Sequence, residues 1–129
     1  MGGRGTFAIG NNVNYTYNTI GKIGDIKVLK GLAGKHNLPM ESHSSKMYIR
    51  LKPDGTFHEL RMYSDNHLAV LDIDYHIEPR LGTTRKPVLH YHTYEYGSQY
   101  KNGVFRHDAE ILTEKLYKQF SKYFKGIKQ

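Results

Sequence analysis

Between Lys46 and His76 the chain alternates apolar and polar residues with a period of two, and this pattern leaves few folds open. In Lys46–Lys52 the apolar set is Met47, Ile49 and Leu51, while Lys46, Tyr48, Arg50 and Lys52 are charged or amphipathic. Period two places the two sets on opposite sides of a half-buried strand. Pro53-Asp54-Gly55-Thr56 has turn chemistry, since Pro presets φ and Gly accepts a positive one. Phe57–Tyr63 reads as the next strand, Ser64-Asp65-Asn66-His67 as the next turn, and Leu68–His76 as a third strand. Val88–Glu95 alternates again and supplies a fourth.

Pairing these strands specifies two faces. With Pro53–Thr56 as loop, Leu51 meets His58, Ile49 meets Leu60 and Met47 meets Met62. With Ser64–His67 as loop, Met62 meets Ala69, Leu60 meets Leu71 and His58 meets Ile73. One face is then almost wholly apolar, and burying it fixes the register. The other collects Tyr48, Arg50, Glu59, Arg61, Val70, Asp72 and Asp74, with Arg50 opposite Glu59 and Tyr48 opposite Arg61 as favourable cross-strand pairs.

The apolar face needs a cover, and the C-terminal segment provides one. Asp108 reads as the N-cap of a helix running to about Phe124, with Glu110 and Glu114 in its early turns and Gly126 as C-cap. Leu112, Leu116, Phe120, Tyr123, Phe124 and Ile127 form one apolar stripe, and Lys115, Lys118, Lys122 and Lys125 a solvated face. The expected fold is α+β: an antiparallel meander sheet of four or more strands with a C-terminal helix packed on one face. Residues 1–24, rich in Gly and Asn, read as a flexible segment ahead of a single domain over 25–129. A short strand is expected around Ile23–Leu29, and loops over 77–87 and Gly97–Arg106.

Composition narrows the function. A chain of 129 residues fits one domain. Nineteen Lys and Arg against twelve Asp and Glu give a net charge of +7, which favours an anionic partner such as nucleic acid, with solubility as the plain alternative. The absence of Cys excludes disulfides, thiolate nucleophiles and Cys-based zinc sites. No apolar run approaches the ~18 residues of a membrane span, so no membrane partner is expected. The first ten residues lack the apolar core of a signal peptide.

The chemistry concentrates in His90-Tyr91-His92-Thr93-Tyr94. On a strand, His90, His92 and Tyr94 point the same way, toward the polar face and its aspartates. An imidazole near neutrality can take or give a proton. His90 and His92 as acid and base, with Arg61, Asp74 and Tyr94, suffice for metal-free RNA cleavage. One group deprotonates the 2′-hydroxyl, one protonates the leaving oxygen, and the arginine stabilises the phosphorane. This reading asks for no cofactor. Arg50, Arg80, Arg85 and Lys86 would contact phosphates. Two alternatives stand beside it. One is an ordinary hydrogen-bonded polar strand face. The other is a metal centre built from His76, His90, His92, Asp72 and Asp74. Ser42, Ser44 and Ser45 flank His43 without the G-x-S-x-G context that presents a serine nucleophile.

Several segments carry a family resemblance. They are Gly2-Gly3-Arg4-Gly5, Lys22–Leu29, Gly34–Pro39 and Glu59–Tyr63, and above all Leu71-Asp72-Ile73-Asp74-Tyr75-His76 and Val88–Tyr94. Together they resemble a module at the C-terminal ends of phage minor head (head-morphogenesis) proteins, which is similar in turn to the C-terminal domains of polymorphic toxins. Some of those resemble metal-independent ribonucleases of the barnase and EndoU-like group. The resemblance leaves the last helix uncovered. It implies an RNA-cleaving or RNA-binding role for the polar sheet face at Arg61, Asp74, His90, His92 and Tyr94. It also implies a protein inhibitor or phage head component as possible partner, and a cytoplasmic or virion-associated setting. A non-catalytic phage-associated binding module is the alternative within the same family.

Overall fold

Strand β1 (Tyr17–Ile23) turns at Gly24 and Asp25 into β2 (Ile26–Gly31), where Gly24 takes the left-handed conformation (φ 62°) that a two-residue hairpin requires. The structure, a computed structural model, describes residues 17–31, 38–42, 44–82 and 85–127. After a connection whose described residues 38–42 lie on one face of the sheet come β3 (Met47–Leu51), β4 (Phe57–Tyr63), β5 (Ala69–His76) and β6 (Val88–Tyr96). Two short strands follow, β7 (Val104–Arg106) and β8 (Glu110–Ile111), then helix α1 (Glu114–Phe120) and a 3₁₀ turn at Ser121–Tyr123.

Among the described residues these make one eight-stranded sheet in the order β1-β2-β3-β4-β5-β6-β7, with β8 also on β6. The expected four-stranded meander is β3 to β6, all antiparallel. β2 and β3 are parallel, with Val28 opposite Ile49. The α+β class holds, with the C-terminal segment on the apolar face. Ile26, Val28, Ile49, Phe57, Leu60, Leu71, Ile73 and Leu89 pack there against Phe120 and Phe124, and the rest of the predicted stripe lies around them. No described helix is long and apolar enough to cross a membrane.

Four local readings change. Tyr17–Ile23 is a strand, where a flexible segment to Gly24 was expected, while residues 1–16 lie outside the described ones. β4 and β5 pair two residues further along than expected, Met62 with Leu71 and Leu60 with Ile73. The cause is a five-residue connection, Ser64–Leu68, with His67 at positive φ, and a bulge that inserts Val70. Beyond the bulge a slip of two keeps the side chains on their faces, while at the bulge Val70 packs toward the core and Ala69 moves to the other face beside Tyr48 and Tyr63. A second bulge sets Leu51 opposite Phe57, so Phe57 is fully buried and His58 joins the polar face beside His76.

The fourth change is the helix start. Thr113 is the N-cap, its hydroxyl accepting from Leu116 N at 3.1 Å, and Asp108 is exposed on Arg80. Backbone on either side of His107 pairs with β6 instead: Arg106 with Tyr94 and Ile111 with His90. The nine-residue β6 would otherwise leave a long open edge, and covering it outweighs the helix signal at Asp108. The same pairing makes a strand of Val104–Arg106 inside the expected loop Gly97–Arg106. The far end of the helix differs too: α1 stops at Phe120 with Ser121 as its C-cap, the 3₁₀ turn is capped by Phe124, and Gly126, at φ 80°, lies in a turn beyond both rather than at the C-cap.

Candidate functional site

The polar face is built on a buried ion-pair network. Arg61 stands directly opposite Asp72, and its guanidinium grips the carboxylate at both ends, Nε to Oδ1 at 2.5 Å and Nη2 to Oδ2 at 2.9 Å. Nη1 donates to the carbonyl of Leu38 at 2.6 Å, and Nη2 also reaches Tyr94 Oη at 2.9 Å and Glu59 Oε2 at 3.3 Å. Tyr94 Oη donates to Asp72 Oδ2. Burial works against the Arg61 charge, but the bond to Asp72 and the charges of Asp72 and Glu59 outweigh it. Burial lifts the Glu59 carboxyl to about 7 against the pull of Arg61 and Arg50. The Leu38 and Pro39 carbonyls bring the β2–β3 connection over this face, where Tyr63 Oη also donates to Pro39 at 2.5 Å. Arg61, Asp72 and Tyr94 are therefore committed to one another, and Arg61 has no donor to spare for a substrate phosphate.

Next to this network three histidines converge. β5 and β6 set Asp74 opposite His90 and Asp72 opposite His92, with His76 at the end of β5. In each ring Nδ1 lies 2.8 Å from a backbone carbonyl: Ile77 for His76, Val88 for His90, His107 for His92. A carbonyl only accepts, so Nδ1 carries the proton, and in the neutral ring Nε2 presents a lone pair. The three Nε2 atoms point at Asp74 Oδ2, at 3.7 Å (His76) and 3.8 Å (His90 and His92). Glu78 Oε1 lies 4.0 Å from His90 Nε2. The rings pack edge to face, with centroids 4.6 Å apart for His76 and His90 and 5.5 Å for His90 and His92.

The electrostatics divide the cluster. The nearby Asp74 carboxylate, 3.7 Å from Nε2, raises His76 above the ordinary histidine value. Burial lowers His90. Burial pushes the Asp74 carboxyl up, but His76 and the Arg106 charge prevail and hold it low. His90 is wholly buried, and its Nε2 has no hydrogen-bond partner.

Arg106 is the cation that faces this centre. Its Nη2 lies 3.3 Å from Asp74 Oδ2 and 3.4 Å from Asp72 Oδ2, Nε donates to Tyr94 Oη at 3.2 Å, and 45% of the side chain is exposed. It separates two clefts. The larger, about 510 Å³, is lined by Arg50, Arg61, Asp74, His76, Tyr94 and Arg106 among others. The smaller, about 250 Å³, has Glu78, Arg80, His92 and Arg106 in its wall.

The sequence-predicted residues thus separate by place. Asp74, His76, His90 and His92 come together. Arg61, Asp72 and Tyr94 form the scaffold beneath them. Arg50 lines the large cleft from its ion pair with Glu59, and Arg80 borders the small one while paired to Asp108 at 2.7 Å. Arg85 and Lys86 are exposed, and among the described residues no contact ties them to the cluster. His43 lies outside the described residues. Sequence reasoning missed Arg106 and Glu78. The alternation in Val104-Phe105-Arg106, one glycine-bounded turn after Tyr94-Glu95-Tyr96, is the signal that would have placed Arg106 opposite Tyr94. Set against family models, curated proteins and solved structures, the chain gives no significant match to any of them.

Proposed function

We propose that this domain cleaves phosphodiester bonds in RNA at the polar face of its sheet, in the phage-associated setting that the resemblance of its strands implies. The observation that carries the reading is the position of Arg106. A half-exposed guanidinium sits over a cluster of three histidines and a carboxylate, at the wall of an open cleft, in a chain of net charge +7. Phosphoryl chemistry needs an activated oxygen and a cation where charge develops on the phosphorane. Here the Asp74–His76–His90–His92 cluster activates the attacking oxygen, Arg106 meets the phosphorane, and Arg50 and Arg80 hold flanking phosphates. Arg61, taken from the sequence as the charge stabiliser, positions Asp72 and Tyr94 instead.

The test is cleavage of labelled single-stranded and hairpin RNA by purified protein, in buffers with and without added divalent cation, beside Arg106→Ala. Cleavage by the wild type that drops in the variant supports the reading. RNA left intact by folded protein in every buffer overturns it; retention of uncut RNA would leave a binding face.

A further inference from the structure

We propose that His76 Nε2, His90 Nε2, His92 Nε2 and Asp74 Oδ2 hold a first-row divalent metal ion of the Zn²⁺ kind, with Glu78 at the margin of the site. The assignment rests on the geometry of the cluster and does not need the RNA reading. Where both hold, the metal ion is what activates the attacking oxygen.

Three observations carry it. The first is orientation. All three rings spend Nδ1–H on a backbone carbonyl at 2.8 Å, from three different places in the chain: Ile77, Val88 and His107. This outer bond fixes tautomer and ring angle in metal-ligating histidines, and it aims every Nε2 lone pair inward. One such bond is unremarkable; three converging ones describe a donor cage.

The second is spacing. The separations of 3.7, 3.8 and 3.8 Å from Asp74 Oδ2 are beyond hydrogen-bond range. Two ligand atoms on a tetrahedral zinc sit roughly 3.3 Å apart, since the bonds are about 2.0–2.1 Å. Each histidine therefore needs to approach Asp74 by only a few tenths of an ångström, while the histidine–histidine separations close further as the rings turn onto the ion. Asp74, His76 and His90 offer atoms mutually within 4.8 Å, as do Glu78, His90 and His92. A direct acid–base pair for in-line cleavage would instead hold its two groups on opposite sides of a phosphate, with room for it between them.

The third is the buried orphan. His90 has no exposed surface and its Nε2 has no partner. A buried polar atom left unsatisfied is costly, and a metal ion at the convergence point satisfies this one.

The donor set selects the metal. Three imidazoles with one carboxylate and no thiolate suit Zn²⁺ and its neighbours over Mg²⁺ or Ca²⁺, which prefer all-oxygen shells. Asp72, part of the ligand set read from the sequence, is held by Arg61 and Tyr94 and is not a ligand. Arg106 is the charged neighbour that competes, at 3.3 Å from Asp74 Oδ2. Half exposed, it can withdraw toward Tyr94 and Asp72 as the metal enters. The exposed edge of His76, 41% accessible, leaves the site open to the large cleft.

The experiment is titration of EDTA-stripped protein with Zn²⁺ by calorimetry and with Co²⁺ by visible absorption, for the wild type, His76→Ala and Asp74→Asn. One equivalent should bind, with the Co²⁺ bands of a low-coordinate nitrogen-rich site and a rise in thermal midpoint. His76 lies at the rim, so its variant should stay folded and lose about tenfold or more in affinity. No stoichiometric binding by the folded wild type overturns the proposal and leaves a water-bridged histidine cluster. Unchanged binding in both variants overturns it as well. Zinc bound without RNA cleavage leaves the metal site standing and retires the RNA reading; EDTA-resistant cleavage by a protein that binds no metal does the reverse.

Discussion

Arg61 and Asp72 face each other across β4 and β5, joined by two bonds of 2.5 and 2.9 Å with almost no access to solvent. A buried charge pair of this kind is costly to halve. Asp72→Ala leaves a guanidinium buried beside Glu59, and should lower stability by about 3–5 kcal/mol in urea unfolding. The double variant Arg61→Met/Asp72→Leu should cost clearly less than the sum of the two single changes. Additive losses would mean that the two side chains do not act as a unit.

Two groups of the polar face give the stability opposite pH slopes. Glu59 has its carboxyl raised by burial from 4.5 to about 7. Between those values the folded state keeps a proton that the unfolded chain has released, so this contribution, full below 4.5, is lost as the pH rises through 7. His58 is lowered from 6.5 to about 4, first by burial and then by the Arg50 charge. Its contribution is full above 6.5 and is lost as the pH falls through 4. Glu59→Gln should therefore gain on the wild type as pH rises across the first window. His58→Gln should gain on it as pH falls across the second. Urea unfolding at both ends of each window measures the two slopes, and slopes of equal sign would contradict the assignment.

The helix start has a direct check. Thr113 caps α1 and Asp108 does not. Thr113→Ala should cost about 0.5–2 kcal/mol in urea unfolding. Asp108→Ala, which removes only an exposed pair with Arg80, should stay within about 0.5 kcal/mol.

Arg106 separates activity from stability. It touches Tyr94, Asp72 and Asp74 from a half-exposed position, with no part in the apolar core. Arg106→Ala should reduce RNA cleavage by about a hundredfold or more while its unfolding midpoint stays near that of the wild type. Equal activity in the two proteins would remove Arg106 from the chemistry.

What the sequence made legible, and what it hid, follows from the kind of signal each residue carries. The period-two runs placed β3 to β6 and put Arg61, Asp74, His90 and His92 on one face, because burial of the other face enforces the alternation. The two bulges were invisible. Val70 sits in the run Leu68-Ala69-Val70-Leu71, apolar at every position, so an extra residue there leaves no mark on the alternation; at the other bulge an imidazole suits either face, and so Phe57 and His58 exchanged sides. The false helix start arose because Asp108 is a good cap locally, while the pull of the open β6 edge on residues 104–111 is long-range. Glu78 and Arg106 stayed hidden for the same reason: each reaches the cluster from a segment that reads as loop. The distinction between metal-free and metal-assisted chemistry depends on where three Nδ1 atoms find their carbonyls, which no spacing rule encodes.

The most direct measurement of the central claim is RNA cleavage by one preparation in three states: EDTA-stripped, reconstituted with one equivalent of Zn²⁺, and reconstituted as Asp74→Asn. The convergence of His76, His90 and His92 on Asp74 predicts an inactive stripped protein, activity restored by the metal, and no restoration in the variant. Stripped protein that cuts RNA as fast as the reconstituted one would contradict it.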